Sequence, residues 1–463
     1  MNLRGDHLTV DSEGQLLIEG VSSRELADRF GTPLFVMSEN AVRRNYRAFH
    51  QAFSSRYANE VMVCVGMKAN WGLASRRVIV DEGGGGEAFG SGELYVALIA
   101  GTNPSRIVMN GPNKSDDTLR AAIEAGVMIN IDSLDELATT ERIAKEINRV
   151  ASIALRLRLP LKPLEGIRYT DARYAAPGID IVKWAREFKF GMELQTIRKA
   201  VTAAQQSNSL ALKGLMYHGG IPRRAGYYRE ETEDLLATLV KIHKDLGWMP
   251  EYLNLGGGFV PYRHGVAQPP SIEDYAEAIT SLIWKSCVDH GLALPKLILE
   301  PGRFCWENAV VWLASVGNTK GDEHLTDKQW AFIDGNINEM GDPFDPHAGS
   351  HEVVLASDMH RPGAIPVDVC GQLCNANDVM AKQRALPPLR RGDVLAFLDM
   401  GAYNEAFASQ SNAMPRSATV MVSEGRVSVV RRRETVQDVL SREAVPYWLA
   451  PHAPAMSSSM PPG

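Results

Sequence analysis

The apolar positions of this chain alternate between two spacings over most of its length. Short runs of consecutive apolar residues, such as residues 61–66, are followed by longer segments with an apolar residue every three or four positions, such as Ile272 to His290. The first pattern is typical of strands buried on both faces, and the second of amphipathic helices that cover them. Between Glu39 and Arg303 the pattern therefore predicts parallel strand–helix units.

Eight runs in this region are candidate strands, and eight parallel strands are the number that closes a (β/α)8 barrel. An open, doubly wound sheet is the structural alternative, but no Gly-x-Gly-x-x-Gly turn follows the first strand. We therefore expect an α/β fold with a TIM-like barrel. The predicted strands are residues 61–66, 85–89, 107–110, 128–131, 152–158, 212–217, 252–255 and 296–300.

After Arg303 the helical spacing nearly disappears, and short strand-like runs separated by turn residues predict an all-β C-terminal domain. The chain opens with a hairpin pattern over residues 7–20, which we expect to join that domain because an isolated hairpin is only marginally stable. The tail is rich in Pro and Ser and is predicted to be disordered. The predicted division is residues 1–37 as strands of the β domain, 38–303 as the barrel, 304–446 as the β domain and 447–463 as the tail.

Composition narrows the possible partners. With 45% hydrophobic and 22% charged residues the chain has the proportions of a globular protein, and its net charge of −6 with scattered basic residues argues against nucleic acid or anionic membrane as a partner. No segment has the length of a membrane span, and no secretory signal is visible, so we expect a cytoplasmic protein with a small-molecule partner. Five cysteines without paired spacing indicate neither a disulfide framework nor a zinc site, and we expect no metal.

Unusual residues follow several of the predicted strands. Lys68 ends the first strand, where an apolar environment lowers the pKa of an amine and suits it to a Schiff base, although a lysine at a strand end is more often a solvated surface residue. His218 ends the sixth strand, the glycines of 256–258 end the seventh, and Glu300 ends the eighth, with Arg303 close behind. Consecutive glycine amides and a guanidinium both suit a phosphate. Because barrel chemistry lies at the carboxyl ends of the strands, these residues together indicate one active site.

Eight ordered motifs over roughly residues 8 to 440 resemble those of the fold-type III pyridoxal-phosphate decarboxylases, the family of the diaminopimelate, ornithine and arginine decarboxylases. The motifs are Met67-Lys68-Ala69-Asn70, Gly90-Ser91-Gly92-Glu93-Leu94, Lys189-Phe190-Gly191, His218-Gly219-Gly220, Leu255-Gly256-Gly257-Gly258, Glu300-Pro301-Gly302-Arg303, Gly371-Gln372-Leu373-Cys374 and Gly401-Ala402-Tyr403.

The resemblance implies an alanine-racemase-like barrel with a β domain, pyridoxal 5′-phosphate as cofactor, and a homodimer with shared active sites. It implies that Lys68 carries the cofactor, that His218 stacks on its ring and that Glu300 pairs with the ring nitrogen. It places Cys374 in the partner's active site as the proton donor after carbon dioxide leaves. The further cofactor-binding residues that it implies are Glu87, Arg156, Gly257, Gly258, Gly302, Arg303 and Tyr403.

Several positions depart from well-known members of that family. Glu87 stands where Asp is usual, and Ile221 where a Ser commonly supports the phosphate. Asn375 follows Cys374 where diaminopimelate decarboxylases have Glu, and residues 342–351 lack the Arg-Pro-x-x-Tyr pattern that grips the distal end of diaminopimelate. We therefore expect the substrate's distal end to differ from that of diaminopimelate.

Two interpretations of the substrate remain open. In the first, which we favour, Asp342 or Asp345 supplies the negative charge for a basic amino acid of either hand, of the lysine or ornithine type, and Asn375 also contacts it. In the second, the distal nitrogen is acylated, as in decorated diamino acids of siderophore or antibiotic pathways. Both predict decarboxylation of a diamino or basic amino acid in a specialised biosynthetic pathway.

Two alternatives to a decarboxylase share the fold. An amino-acid racemase needs two opposed bases around the cofactor, whereas Glu300 and the context of Cys374 favour decarboxylation. A cofactor-binding protein without turnover would be expected to lack Lys68 or Cys374, and both are present.

Overall fold

The computed structural model describes residues 3, 5–159, 189–219, 225–259, 261–264, 271–321, 328–341 and 351–449. Within these residues an eight-stranded parallel barrel and a mostly β second domain are formed, as predicted. The predictions for Gly220, Ile221, Asp342 and Asp345, and for most of the tail, lie outside the described residues.

The barrel closes because its last strand pairs with its first, with Leu299 beside Val63. All six residues of the first barrel strand are buried, which explains why its sequence is an unbroken apolar run. The strands are β5 (Val61–Gly66), β6 (Gly85–Ala88), β7 (Ile107–Met109), β8 (Met128–Ile131), β9 (Ala151–Leu157), β10 (Leu210–Tyr217), β11 (Tyr252–Asn254) and β12 (Lys296–Leu299).

Helices cover the outside of the barrel, and several begin at a serine whose hydroxyl accepts a backbone N–H in the first turn. Ser115, Ser133 and Ser271 act in this way, and Gly126 and Gly291 end two helices in the left-handed conformation that glycine favours. The helices are α1 (Ser23–Phe30), α2 (Glu39–Ser54), α3 (Leu73–Asp81), α4 (Ser91–Ile99), α5 (Asp116–Ala125), α6 (Leu134–Glu146), α7 (Leu194–Gln206), α8 (Ala225–Leu246), α9 (Ile272–His290), α10 (Arg303–Trp306) and α11 (Val436–Leu440). Nowhere in the described ranges does a helix combine the length and apolar character that crossing a membrane requires.

The second domain is built from both ends of the chain. Strand β4 (Leu34–Ser38) lies between β13 (Val310–Gly321) and β19 (Ala418–Ser423), so a strand from the N-terminal region is central to the C-terminal sheet. Two further strands, β16 (Ile365–Cys370) and β17 (Val379–Leu386), were not predicted from the sequence. The other strands of the domain are β14 (Gln329–Ile333), β15 (Val353–Leu355), β18 (Val394–Phe397) and β20 (Arg426–Arg431).

The N-terminal hairpin packs against this domain. Strands β1 (Leu8–Val10), β2 (Leu16–Ile18) and β3 (Val21–Ser22) form a small sheet of their own. Its buried side chains share a hydrophobic cluster with those of β4, β13 and β18, and the amide of Leu16 donates to the carbonyl of Ala356. The position of the domain boundaries stays a prediction.

The β domain also reaches the top of the barrel. After β18 the chain runs through Asp399 to Tyr403, and the amide of Tyr403 donates to the carbonyl of Ala69 at 2.8 Å. Ala69 follows the first barrel strand, so Tyr403 lies beside the strand ends where the sequence predicts the site.

Candidate active site

Lys68 and Glu87 form an ion pair at the carboxyl ends of neighbouring strands. Lys68 lies in a single helical turn, Met67–Ala69, directly after β5, and its Nζ donates to Oε2 of Glu87 at 2.5 Å. The Glu87 side chain is 1% exposed and that of Lys68 is 29% exposed. Parallel register brings them together, because Gly66 pairs with Glu87 across β5 and β6.

The structure corrects the expected direction of the Lys68 pKa. Burial alone lowers the pKa of this ammonium, as the sequence suggested, but the negative charge of Glu87 raises it, with further contributions from Tyr403 and Glu300, and the net pKa is raised. Without the cofactor Lys68 is therefore an ammonium paired with a carboxylate.

Glu300 follows β12 and is held by two buried asparagine amides. Asn254 at the end of β11 donates to Oε1 of Glu300 at 2.7 Å, and Asn110 after β7 donates to both carboxylate oxygens at 3.2 Å. The same Asn110 nitrogen donates to Oε1 of Glu87 at 2.9 Å. Burial, followed by the charge of Glu87, raises the pKa of Glu300 to about 7.

The glycines after β11 form a concave backbone surface beside His218. Gly256 has φ +66°, and a Cβ there would lie 2.7 Å from the Cβ of His218, so only glycine fits. A Cβ on Gly257 would collide with the carbonyl oxygen of Glu300. The hydroxyl of Tyr228, from α8, donates to the carbonyl of Gly257 and so helps to fix the loop. Gly258 completes this glycine cradle, residues 256–258, with φ +101°.

Arg303 and Tyr403 lie together at the start of α10. The guanidinium carbon of Arg303 is 4.9 Å from the ring centroid of Tyr403, and its Nη1 donates to the buried Glu307 at 2.7 Å. A Cβ on Gly302 would lie 3.2 Å from the Tyr403 hydroxyl. Through Tyr403 the β domain therefore contributes to this end of the site.

Arg156 lies near the carboxyl end of β9, and its role toward the cofactor stays a prediction. Its side chain is buried, its guanidinium lies 4.4 Å from the centroid of the Phe190 ring, and desolvation lowers its pKa. The nearby charges of Asp132, Glu300 and Glu87 oppose that shift. Within the described residues its Nη1 has no hydrogen-bond partner.

Cys374 and Asn375 lie in an exposed turn between β16 and β17, and their hydrogen bonds stay within the β domain. The Cys374 thiol donates to Oδ1 of Asn412 at 3.4 Å. Oδ1 of Asn375 accepts the backbone N–H of Asn377 at 2.9 Å. The structure therefore does not join this turn to Lys68 of the same chain through any contact among the described residues.

Sequence reasoning missed the asparagines that connect the carboxylates. Asn254 is the last residue of β11, Asn110 directly follows β7, and Asn130 in β8 donates to Oδ1 of Asn110 at 2.7 Å. Inspecting every strand end for amides as well as charges would have found the first two.

The residues present fit pyridoxal phosphate. An amine for its aldehyde, a buried carboxylate for its ring nitrogen, and a glycine cradle with a guanidinium for its phosphate converge at one end of the barrel. A side chain at position 256 or 257 would collide with His218 or with the Glu300 carbonyl, so the shape of this backbone depends on glycine.

Comparison with known proteins agrees with this geometry. Residues 39–307 match the family model described as the pyridoxal-binding domain of pyridoxal-dependent decarboxylases. The chain is 34% identical over 446 residues to a diaminopimelate decarboxylase of Methanothermobacter thermautotrophicus, covering 95% of this chain and 98% of the relative.

Solved structures also show similarity to diaminopimelate decarboxylases. The diaminopimelate decarboxylase of M. jannaschii superposes with a TM-score of 0.86 at 30% identity, covering 96% of this chain and 99% of that chain. A second structure of that enzyme, in complex with L-lysine, has a TM-score of 0.85 at 30% identity over the same fractions. The predicted cofactor and reaction class are thereby confirmed: this chain belongs to the pyridoxal-dependent decarboxylases.

Proposed function

We propose that the chain removes the carboxyl group of a diamino acid as carbon dioxide and releases an amine. The observation that carries this proposal is the placement of the Lys68–Glu87 pair and Glu300 beside one glycine cradle. The substrate class is supported by the relatives, which are named diaminopimelate decarboxylases, and by the L-lysine bound in one similar structure.

Lys68 and Glu87 act as an amine and its proton acceptor. The Lys68 ammonium must lose a proton before Nζ can bond to an aldehyde, and Oε2 of Glu87 at 2.5 Å is placed to take it. When bound, pyridoxal phosphate supplies the aldehyde and a ring that delocalises the electron pair left behind when carbon dioxide departs.

Glu300, His218 and the phosphate-binding residues orient the cofactor. The Glu300 carboxylate would hold a proton at the ring nitrogen, while His218 would lie against the ring above Gly256. The amides of Gly257 and Gly258 would contact the phosphate, together with Gly302, Arg303 and Tyr403, because backbone N–H groups and a guanidinium bind phosphate oxygens well. Arg156 would complete the cofactor side of the site.

Cys374 is proposed to act in the site of a partner subunit in a homodimer. Its thiol is exposed, and its hydrogen bond with Asn412 lies on the β domain. Within the described residues the side-chain hydrogen bonds of this turn do not reach the barrel of its own chain, which supports delivery of the thiol to the barrel of a second copy. The thiol would then deliver its proton to the carbon that lost the carboxyl group.

Asn375 is proposed to contact the distal end of the substrate, with Asp342 and Asp345. Because Oδ1 of Asn375 already accepts the Asn377 amide, the side chain offers its Nδ2 hydrogens to a ligand. An ammonium would need a different partner, since an unpaired buried charge costs several kcal/mol. A basic substrate therefore requires Asp342 or Asp345, whereas an acylated one could accept a hydrogen bond from Asn375.

A panel of substrates tests these proposals. Carbon dioxide release is measured with meso-diaminopimelate and with lysine and ornithine of both hands. We expect kcat/KM to be highest for a substrate other than meso-diaminopimelate. A highest value for meso-diaminopimelate would refute the interpretation of Asn375, and turnover of none would favour an acylated substrate.

Asn375→Asp provides a sharper test, because Asp keeps the oxygen that accepts the Asn377 amide and adds a negative charge. If the loop faces the distal end, kcat/KM for lysine and ornithine should rise relative to their N-acylated forms, by about tenfold for one new charged hydrogen bond. Asn377→Asp is the matched control in the same turn. An equal effect of both variants would contradict a direct contact by residue 375.

A cytoplasmic location is also part of the proposal. The five cysteines are free thiols, as is usual in reducing compartments. Cell fractionation of the expressing organism would test it.

A further inference from the structure

One buried amide lies between the two carboxylates of the site. Nδ2 of Asn110 is 2.9 Å from Oε1 of Glu87 and 3.2 Å from both carboxylate oxygens of Glu300. Asn110 and both glutamates are at most 2% exposed, so water does not screen the two carboxylates from each other. The two hydrogens of a single amide nitrogen are thus shared between two different acids.

A second asparagine fixes the direction in which this amide points. Nδ2 of Asn130 donates to Oδ1 of Asn110 at 2.7 Å, so the oxygen of Asn110 is turned away from the carboxylates. The backbone carbonyl of Asn130 in turn accepts from the buried ammonium of Lys114 at 2.9 Å. If the Asn110 amide rotated, its oxygen would face two anions and Asn130 would lose its acceptor.

Charge explains why such an amide matters. Glu300 is faced by Glu87 on β6, by Lys68 after β5, by Arg156 on β9 and by the neutral Asn254 on β11. Glu87 disfavours the ionised form of Glu300, and the two cations favour it. Lys68 is committed to Glu87 at 2.5 Å, so a donor that contacts both acids stabilises the state in which both are negative.

We propose that Asn110 is a positioning residue that holds Glu87 and Glu300 as two separate anions, the first directed at Lys68 and the second available to the cofactor's ring nitrogen. Without this donor the two acids would share a proton, as close buried carboxylates do. A protonated Glu300 could not stabilise a positive ring nitrogen. This inference rests on the cofactor site and not on the identity of the substrate.

The proposal predicts how cofactor affinity depends on pH. Because the anion of Glu300 is the form that receives the ring nitrogen, affinity should fall as the pH drops through the pKa of Glu300, about 7 in the protein without ligand. Removing the Asn110 amide should raise that pKa and move the inflection to higher pH. The phosphate of the cofactor also titrates in this range, but it does so equally with the wild type and with the variant. A difference in inflection between the wild type and the variant therefore comes from groups of the protein.

The experiment is an equilibrium titration of cofactor-free protein with pyridoxal phosphate, followed by absorbance between pH 5.5 and 8.5. For Asn110→Ala we expect the inflection about one pH unit above that of the wild type, which corresponds to about fivefold weaker affinity at pH 7 and about tenfold weaker affinity well below that pH. Asn110→Asp, which places a third carboxylate in the cluster, should shift it further. The control is Asn45→Ala, because Asn45 is also a buried asparagine, but its amide donates, among the residues that the structure describes, only to neutral oxygens of Cys305 and Asn308.

If Asn110→Ala does not fold, Asn130→Ala tests the same proposal by removing the group that orients the amide, and a smaller shift in the same direction is expected. An unchanged inflection in the folded variant, or an equal shift in Asn45→Ala, would overturn the proposal. Failure of every substrate in the panel would instead refute a diamino substrate with a free distal nitrogen, and it would leave this result untouched.

Discussion

The chemistry of single residues in this site depends on their neighbours more than on their own type. Lys68 would have a lowered pKa if only burial acted on it, but the adjacent Glu87 reverses the direction. At Glu300 the neighbour reinforces the effect of burial instead of opposing it, since burial and the nearby negative charge of Glu87 both raise the pKa of this carboxyl group. Two groups at strand ends thus acquire properties that neither has alone.

Covalent attachment of the cofactor is predicted at Lys68. Borohydride reduction of the yellow protein followed by peptide mapping should find the pyridoxyl group on this residue, because its Nζ lies beside Glu87 at the same end of the barrel as the glycine cradle. Lys114 is an internal control, since it is fully buried in an ion pair with Glu136. A label on any lysine other than Lys68 would contradict the assignment.

At the scale of elements, a short turn in the β domain connects the loops that carry Cys374 and Asn412. In the turn Ile337–Glu339 the amide of Ile337 donates to Asp378, which also accepts the amide of Leu373 beside the thiol. Asn338 donates to the carbonyl of Ser411 at 3.0 Å. One element thus supports both sides of the hydrogen bond between the thiol and Asn412.

Glu339 in this turn predicts a pH effect on stability. It is 3% exposed, accepts the amide and hydroxyl of Ser417, and burial raises its pKa to about 7. Between its ordinary pKa and the raised value the folded protein holds a proton that the unfolded chain has released. The contribution of Glu339 to the free energy of unfolding is therefore present at low pH and is lost as the pH rises to about 7.

Glu339→Gln should remove this dependence. Relative to wild type, the variant should gain up to about 3 kcal/mol in free energy of unfolding between pH 4.5 and pH 8, as measured by urea unfolding. Glu424→Gln serves as the control, because that side chain is 77% exposed. A constant difference between Glu339→Gln and wild type across this range would show that the carboxyl does not titrate as described.

At the scale of the whole molecule, the site is assembled from two domains. Tyr403 follows a loop whose first residue, Asp399, has φ +60° and is held by Nδ1 of His264 at 3.0 Å. His264 lies on the barrel just beyond the glycine cradle, so a buried pair connects the cradle side of the barrel to the loop that delivers Tyr403.

Mixing two inactive variants tests whether the site is shared between subunits. Lys68→Ala and Cys374→Ala should each be nearly inactive alone. After subunit exchange the mixture should recover up to about a quarter of wild-type activity, because each mixed dimer of a symmetric interface has one intact site. No recovery, with exchange verified by mass spectrometry of differently tagged subunits, would place both residues in the site of one chain.

The apolar periodicity by itself determined the barrel, because a strand buried on both faces must be apolar throughout and a covering helix must be apolar on one side. It also located Lys68, His218, the glycine cradle, Glu300 and Arg303, since parallel strands present their carboxyl ends on one face. Strands β16 and β17 escaped prediction because residues such as Asp368, Lys382 and Arg384 interrupt their apolar pattern.

Only the tertiary structure decided which charges face each other. The raised pKa of Lys68 and the bridging position of Asn110 follow from distances of about 3 Å between residues far apart in the chain. Asparagine is an ordinary polar residue in a sequence, and its amide becomes informative only when burial removes water and leaves two carboxylates within its reach. Electrostatic effects at that range depend on packing, which local sequence patterns do not encode.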